Sequence, residues 1–204
     1  DLYRLLQLQE IVFATDYESK MQRFEHLLRK TRKWNDPALE TYTLYSMWHQ
    51  SYVYGEYVRS FRYARELEEL LDTIDTRPYT GKSQEYFQLG RVYYQFKDYQ
   101  QAARLMHKAI SIPGDWLMPW NYLAAIHHHN GRIDSAAYYH RTILTSEQAL
   151  NQPLIHRAIA LSNLGRIEME RGNYNDALPM LQTGIITSEE SGDISFSAGV
   201  RISL

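Results

Sequence analysis

The sequence predicts an all-α protein made of antiparallel helix pairs stacked into a solenoid, and three observations carry that prediction. First, the middle of the chain repeats itself at a spacing of 34 residues: Tyr86, Gln88, Leu89, Gly90 and Tyr93 align with Trp120, Tyr122, Leu123, Ala124 and His127. The same offset carries Tyr99, Ala102, Ala103, Met106 and Ala109 onto Ile133, Ala136, Ala137, His140 and Ile143. Second, a further copy (Leu161, Leu164, Gly165 and Glu168, then Tyr174, Ala177 and Leu181) follows at a spacing of 41. The additional residues amount to about two helical turns, so they lengthen helices without changing which face points inward. Third, within each copy the apolar and small residues recur at i, i+3, i+4 and i+7, the period of an amphipathic helix. Such a pair cannot bury both faces alone and must stack on a neighbour.

Taken in chain order, the first expected pair covers 2–34 in degenerate form. One helix over 2–14 carries Leu5, Leu8, Ile11 and Phe13; a second over 17–32 carries Tyr17, Met21, Phe24 and Leu27. It closes on the basic run Arg29 to Lys33 with Trp34, before the Asn35-Asp36-Pro37 break. Cations there complement the negative end of the helix dipole, which accounts for the run without nucleic-acid binding. A second degenerate pair spans 40–75 around Trp48, Gly55, Tyr57, Ala64 and Leu67. The full pairs occupy 83–116, 117–150 and 158–191. After Ser191-Gly192-Asp193, residues 194–204 read as the first helix of a further, truncated repeat.

Short polar breaks separate the two helices of each pair: Phe96-Lys97-Asp98, Asn130-Gly131-Arg132 and Arg171-Gly172-Asn173. Asp98, Asp134 and Asn173 or Asn175 are expected N-caps of the second helices. Gly90 and Ala102 put small residues on facing helices and let the backbones approach. Pro179 is tolerated if it falls in the first turn of its helix and otherwise removes one backbone bond.

The pattern aromatic-x2-Leu-Gly/Ala-x2-Tyr followed by two alanines at this period resembles the tetratricopeptide repeat (TPR). The resemblance implies a right-handed superhelical solenoid whose concave face is lined by first-helix residues. It also implies a protein or peptide ligand in that groove. In the register of the repeats, the groove candidates are Tyr45, His49 and Tyr52 upstream, Phe87, Gln88, Arg91 and Tyr94 in the first full pair, Asn121, Tyr122 and His128 in the second, and Asn163 and Arg166 in the third. The family's clamp for a terminal carboxylate begins with a lysine. Tyr45, Phe87, Asn121 or Ser162 stands at that position here, so the chain departs from that mode.

Other function classes find no support. With 22 Lys+Arg against 24 Asp+Glu and a formal charge of -2, there is no basic surplus for phosphate binding. No 18-residue apolar run is present. Zero cysteines remove thiolate nucleophiles and Cys-ligated zinc. No nucleophile elbow, phosphate loop or Ser/His/Asp set is brought together by the repeat, so no enzyme activity and no cofactor are expected. Pairs such as Glu66/Glu69 read as solvated helix faces. His127, His128 and His129 point about 100° apart along a helix and cannot share one metal. His127 and His140 are expected to meet across a helix pair, with a metal-binding module as an alternative function.

The expected function is therefore a non-catalytic protein- or peptide-binding module. The longer repeat spacing resembles repeats in bacterial sensor kinases and transcription regulators, so it is expected to be the input region of a larger protein, cytoplasmic or periplasmic. A self-associating scaffold, pairing through the open C-terminal helix, is the alternative from the structural class.

Overall fold

The computed structural model describes residues 16–75, 81–113, 117–146 and 153–192. Those residues form nine helices and no strand. They are α1 Tyr17–Trp34, α2 Pro37–Val53, α3 Tyr57–Thr73, α4 Lys82–Gln95, α5 Tyr99–Ser111, α6 Met118–His129, α7 Ile133–Thr145, α8 Leu154–Glu170 and α9 Tyr174–Glu190. The helices expected over 2–14 and 194–204 lie outside the described residues. The chain divides into two compact units, Asp1–Lys82 and Ser83–Leu204.

In the first unit, α1 starts where the Asp16 carboxylate accepts the Ser19 amide at 2.8 Å. It stops at Asn35, whose left-handed φ of 52° turns its N–H back onto the Arg32 carbonyl. The basic run lies at this C-terminal end, and Arg32 reaches Glu40 of α2 at 2.8 Å and Glu66 of α3 at 3.1 Å. Glu66, read as a solvated carboxylate, thus ties helices together. Asp36 caps α2, with Pro37 supplying its fixed φ to the first turn. Met21, Phe24 and Leu27 of α1 are buried, as are Leu44, Met47 and Trp48 of α2 and Tyr63, Ala64, Leu67 and Leu71 of α3. Each large side chain buried in this way stabilises the unit by roughly 2 kcal/mol before entropy is counted.

In the second unit each helix packs on the next from α5 to α9, and α6 also touches α8. Consecutive first helices therefore stand side by side, which is what gives the unit a first-helix face. Its core is layered. Leu117, Ile143 and Ala160 form one cluster; Ala136, Ala137, Leu164 and Ile167 form the next; Leu181 and Ile185 close the last. In α4, a Cβ on Gly90 would stand 3.0 Å from the end of Met106 and 3.3 Å from the Ala102 carbonyl. The expected close approach is present.

Among the described residues, four turns within pairs share one geometry, in both units. A residue with left-handed φ follows the first helix: Gly55 at 77°, Lys97 at 61°, Gly131 at 70° and Gly172 at 79°. Its N–H bonds the carbonyl three back, and the following N–H bonds the carbonyl five back, as in Gly131 to His128 and Arg132 to His127, both at 2.9 Å. Only Lys97 pays the Cβ penalty of that conformation among these four.

Three expectations are corrected. Asp98 caps α5 through the Gln101 amide at 3.1 Å, but Asp134 and Asn173 do not cap by side chain. Asp134 lies inside the first turn of α7 and pairs with Arg171, while the Asn173 amide donates to Glu168 at 2.8 Å. Pro179 is the sixth residue of α9, beyond the first turn, so the Asn175 carbonyl loses its helical donor while the helix continues to Glu190. Tyr174, expected to pack between helices, is 67% exposed.

Candidate functional site

The site is built at the C-terminal ends of first helices in the second unit. Tyr94 from α4, Ala125, His128 and His129 from α6, His140 from α7, and Asn163, Arg166 and Ile167 from α8 line a cavity of about 430 Å³. Four of the predicted groove residues, Tyr94, His128, Asn163 and Arg166, are thereby brought together. The local reason is the repeat: Tyr94, His128 and Met169 occupy corresponding positions, so ends of successive first helices converge.

The histidines at this rim are held by specific partners. The His128 Nε2 lies 3.2 Å from both oxygens of Glu170. The His129 Nε2 is 3.0 Å from the Tyr94 hydroxyl, and its ring stacks on Tyr99 with centroids 5.1 Å apart and planes at 5°. The aromatic strip continues edge-to-face from Tyr94 to Tyr122 at 5.1 Å and from Tyr122 to Phe87 at 5.3 Å. Burial raises the Tyr94 and Tyr122 phenols above their ordinary pKa, so both are neutral hydrogen-bonding groups at physiological pH.

His140, expected as the partner of His127 and not as a groove residue, lines the cavity. It is 2% exposed, its Nδ1 is sealed from solvent with no partner, and burial lowers its pKa to about 4. It does not form the expected pair with His127. The His127 ring packs on Tyr139 at 5.1 Å, whereas His140 shares the cavity with His128 and His129. Among the described residues, no group of three or more His, Asp or Glu is placed to hold a metal ion. A signal existed: Met106 and Leu181 hold the same register, both fully buried, so a histidine there is a polar group in an apolar layer.

Two predicted groove residues are not free surface. Phe87 is 3% exposed and lies beneath the edge of Tyr122. Asn121 is 6% exposed with both amide atoms sealed and unpartnered. The stacking of α6 on its neighbours covers both. Gln88 and Arg91 are half-buried, each with one polar atom (Oε1 and Nε) sealed and unpartnered. In the first unit, Tyr45 packs on Trp48 at 5.1 Å and stacks on His49 at 6.1 Å, while Tyr52 lies against Tyr57 at 6.1 Å.

Residues 157–191, which span α8 and α9, match the family model of the tetratricopeptide repeat. Most of the chain also superposes on solved structures. A crystal structure of MamA superposes with a TM-score of 0.65 at 15% identity, covering 87% of this chain and 91% of that one. BtubC from P. vanneervenii gives 0.66 at 14% identity, covering 93% and 92%. A putative kinesin light chain from Podosopora anserina, with nearly identical TPR-like repeats, gives 0.64 at 14% identity and 93% of each chain. The fold is a TPR-like solenoid. No curated protein matches the chain.

The cavity is lined mostly by first-helix residues, with His140 of α7 added from a packed layer. No helix among the described residues is long and apolar enough to cross a membrane.

Proposed function

We propose that the chain is a non-catalytic protein- or peptide-binding TPR module, serving as the interaction or input region of a larger regulatory protein. The observation that carries this reading is the cavity bounded by α4, α6, α7 and α8, with Arg166 and Asn163 on one wall and Tyr94 on the other. Arg166 is exposed and forms no ion pair with an Asp or Glu among the described residues, which leaves its guanidinium for a bidentate bond to a ligand. Asn163 supplies an amide that can pair with an extended backbone. The half-buried Tyr94 and Tyr122 rings give the partner a rigid apolar rail.

Selection of peptides from a random displayed library tests this reading. Selected peptides should bind the wild type and lose affinity for the Arg91→Ala plus Arg166→Ala variant, while the helical circular dichroism signal stays unchanged. Unchanged affinity would remove the groove assignment.

A self-associating scaffold is favoured by one separate observation. One flank of α9 exposes Tyr174, Leu178 and Ile186 at 67%, 50% and 55%. Such a stripe is a surface a second copy could cover. Light scattering across a concentration series tests it, and a constant monomer mass excludes it.

A further inference from the structure

The cavity holds one group that peptide binding in general leaves unused. His140 sits on its floor with almost no exposure and an unpartnered Nδ1, in a register where the neighbouring copies carry Met106 and Leu181. A buried polar nitrogen with no partner costs free energy, so an apolar side chain would be the better choice if packing alone mattered. The charges around it are few. From α6 it faces His128 and His129, the first committed to Glu170 and the second to the Tyr94 hydroxyl. From α8 it faces Arg166, with Glu170 behind His128; beside it on α7, Arg141 turns away to Glu168 at 3.3 Å. Among the described residues, Arg166 is thus the one cavity-lining guanidinium, and no carboxylate lines the cavity itself.

We propose that this cavity is a proton-coupled carboxylate site, in which Arg166 and Asn163 hold a carboxylate of the bound partner and His140 takes up a proton as that anion enters. The inference rests on the peptide-binding reading and specifies its ligand chemistry. Arg166 supplies the charge and two parallel donors; the Asn163 amide supplies a third. In the empty cavity burial keeps His140 neutral, to a pKa of about 4. A carboxylate placed beside the imidazole favours the charged form and raises that pKa. Binding and proton uptake are then linked, and affinity rises as pH falls.

The test uses three small probes with the 204-residue chain. N-acetylglutamate amide presents a side-chain carboxylate, N-acetylglutamine a terminal one, and N-acetylglutamine amide none. Binding is followed by nuclear magnetic resonance of the Asn163 amide and the His140 ring nitrogens. One or both carboxylate probes should produce saturable shifts, the neutral probe none, and the pair of arms tells side chain from chain terminus. The apparent affinity should be about fivefold to tenfold tighter at pH 5.5 than at pH 7.0, the size expected if the anion restores an ordinary imidazole pKa. Arg166→Gln should abolish the shifts. His140→Gln should keep binding and lose most of the pH dependence. If that variant is poorly folded, the wild-type His140 titration with and without probe decides the matter, and an unmoved pKa overturns the proposal. Equal response to the neutral probe, absence of saturable shifts, or full pH dependence in His140→Gln also overturns it. Library peptides that bind through Arg91 and Arg166 while all three probes fail would remove this site and leave the peptide-binding reading standing.

Discussion

Gly165 of α8 lies so close to α9 that a Cβ on it would stand 2.8 Å from the Leu181 Cγ and 3.1 Å from the Ala177 carbonyl oxygen. The branch carbon and the backbone oxygen cannot swing away as the tip of a flexible side chain could. The glycine and Ala177 together set how near the two helices come. Gly165→Ala should therefore destabilise the protein by about 1–3 kcal/mol, even though alanine has the better helix propensity. Urea unfolding measures it; a gain in stability would show that the helices separate freely.

Glu168 is buried, yet it accepts from Arg171 at 2.8 Å, from Asn173 at 2.8 Å and from Arg141 at 3.3 Å. The carboxylate fastens α7 and the α8–α9 turn at one point. The Asn173 bond, then the two arginines, hold its pKa below the usual carboxylate range. Glu168→Ala takes a buried acceptor from Asn173 and Arg141, while Arg171 keeps its pair with Asp134, and should cost about 1–3 kcal/mol. Because the folded pKa is lowered, this stabilisation is present above the ordinary carboxylate pKa and is lost as pH falls through the folded value. Thermal melts of the variant and wild type at neutral and acidic pH check both statements.

His140 acts in the same direction by a different route. Its folded pKa of about 4 lies below the ordinary histidine value, so the unfolded chain binds the proton more readily. Stability is complete above about pH 6.5 and falls as pH drops towards 4, by up to about 3 kcal/mol for this group. His127 and His156, also lowered by burial, add to the loss. His140→Leu should flatten the stability profile between those pH values; an unchanged slope would show that His140 does not titrate with unfolding.

Lys97 is the non-glycine among four equivalent turn positions. Lys97→Gly should stabilise by up to about 1 kcal/mol, since the left-handed conformation carries a Cβ penalty of that order. Differential scanning calorimetry reads the effect, and a lowered melting temperature would contradict it.

Asn121 buries both ends of its amide without a partner. Asn121→Leu, close in shape, should be neutral or stabilising by about 1 kcal/mol, because no hydrogen bond is lost and a desolvation cost is removed. Denaturant midpoints decide this; a large destabilisation would mean the amide is satisfied in solution.

Among the described residues, the helix pairs, their order and the close approach at Gly90 were legible because they are periodic: the same residue types recur at fixed offsets and each copy supports the others. The shared turn was half legible, since glycines at 131 and 172 announce it but Lys97 does not. Capping was legible at Asp98 only. Asp134 and Asn173 have the right chemistry one position too late or with a stronger partner nearby, and a charged network outcompetes a cap.

The sequence by itself determined the secondary structure, the repeat register and the stripe of each helix that turns inward, because helical period and small-residue spacing are local properties. Tertiary structure decided which of the remaining side chains face solvent. Phe87 and Tyr94 are seven residues apart and share a helix face, yet Tyr122 from the next pair covers the first while the second lines a cavity. His140 keeps the register of buried Met106 and Leu181 but opens onto that cavity. Burial at these positions depends on the size and angle of a ring contributed by the neighbouring repeat, and no pattern within one helix encodes that.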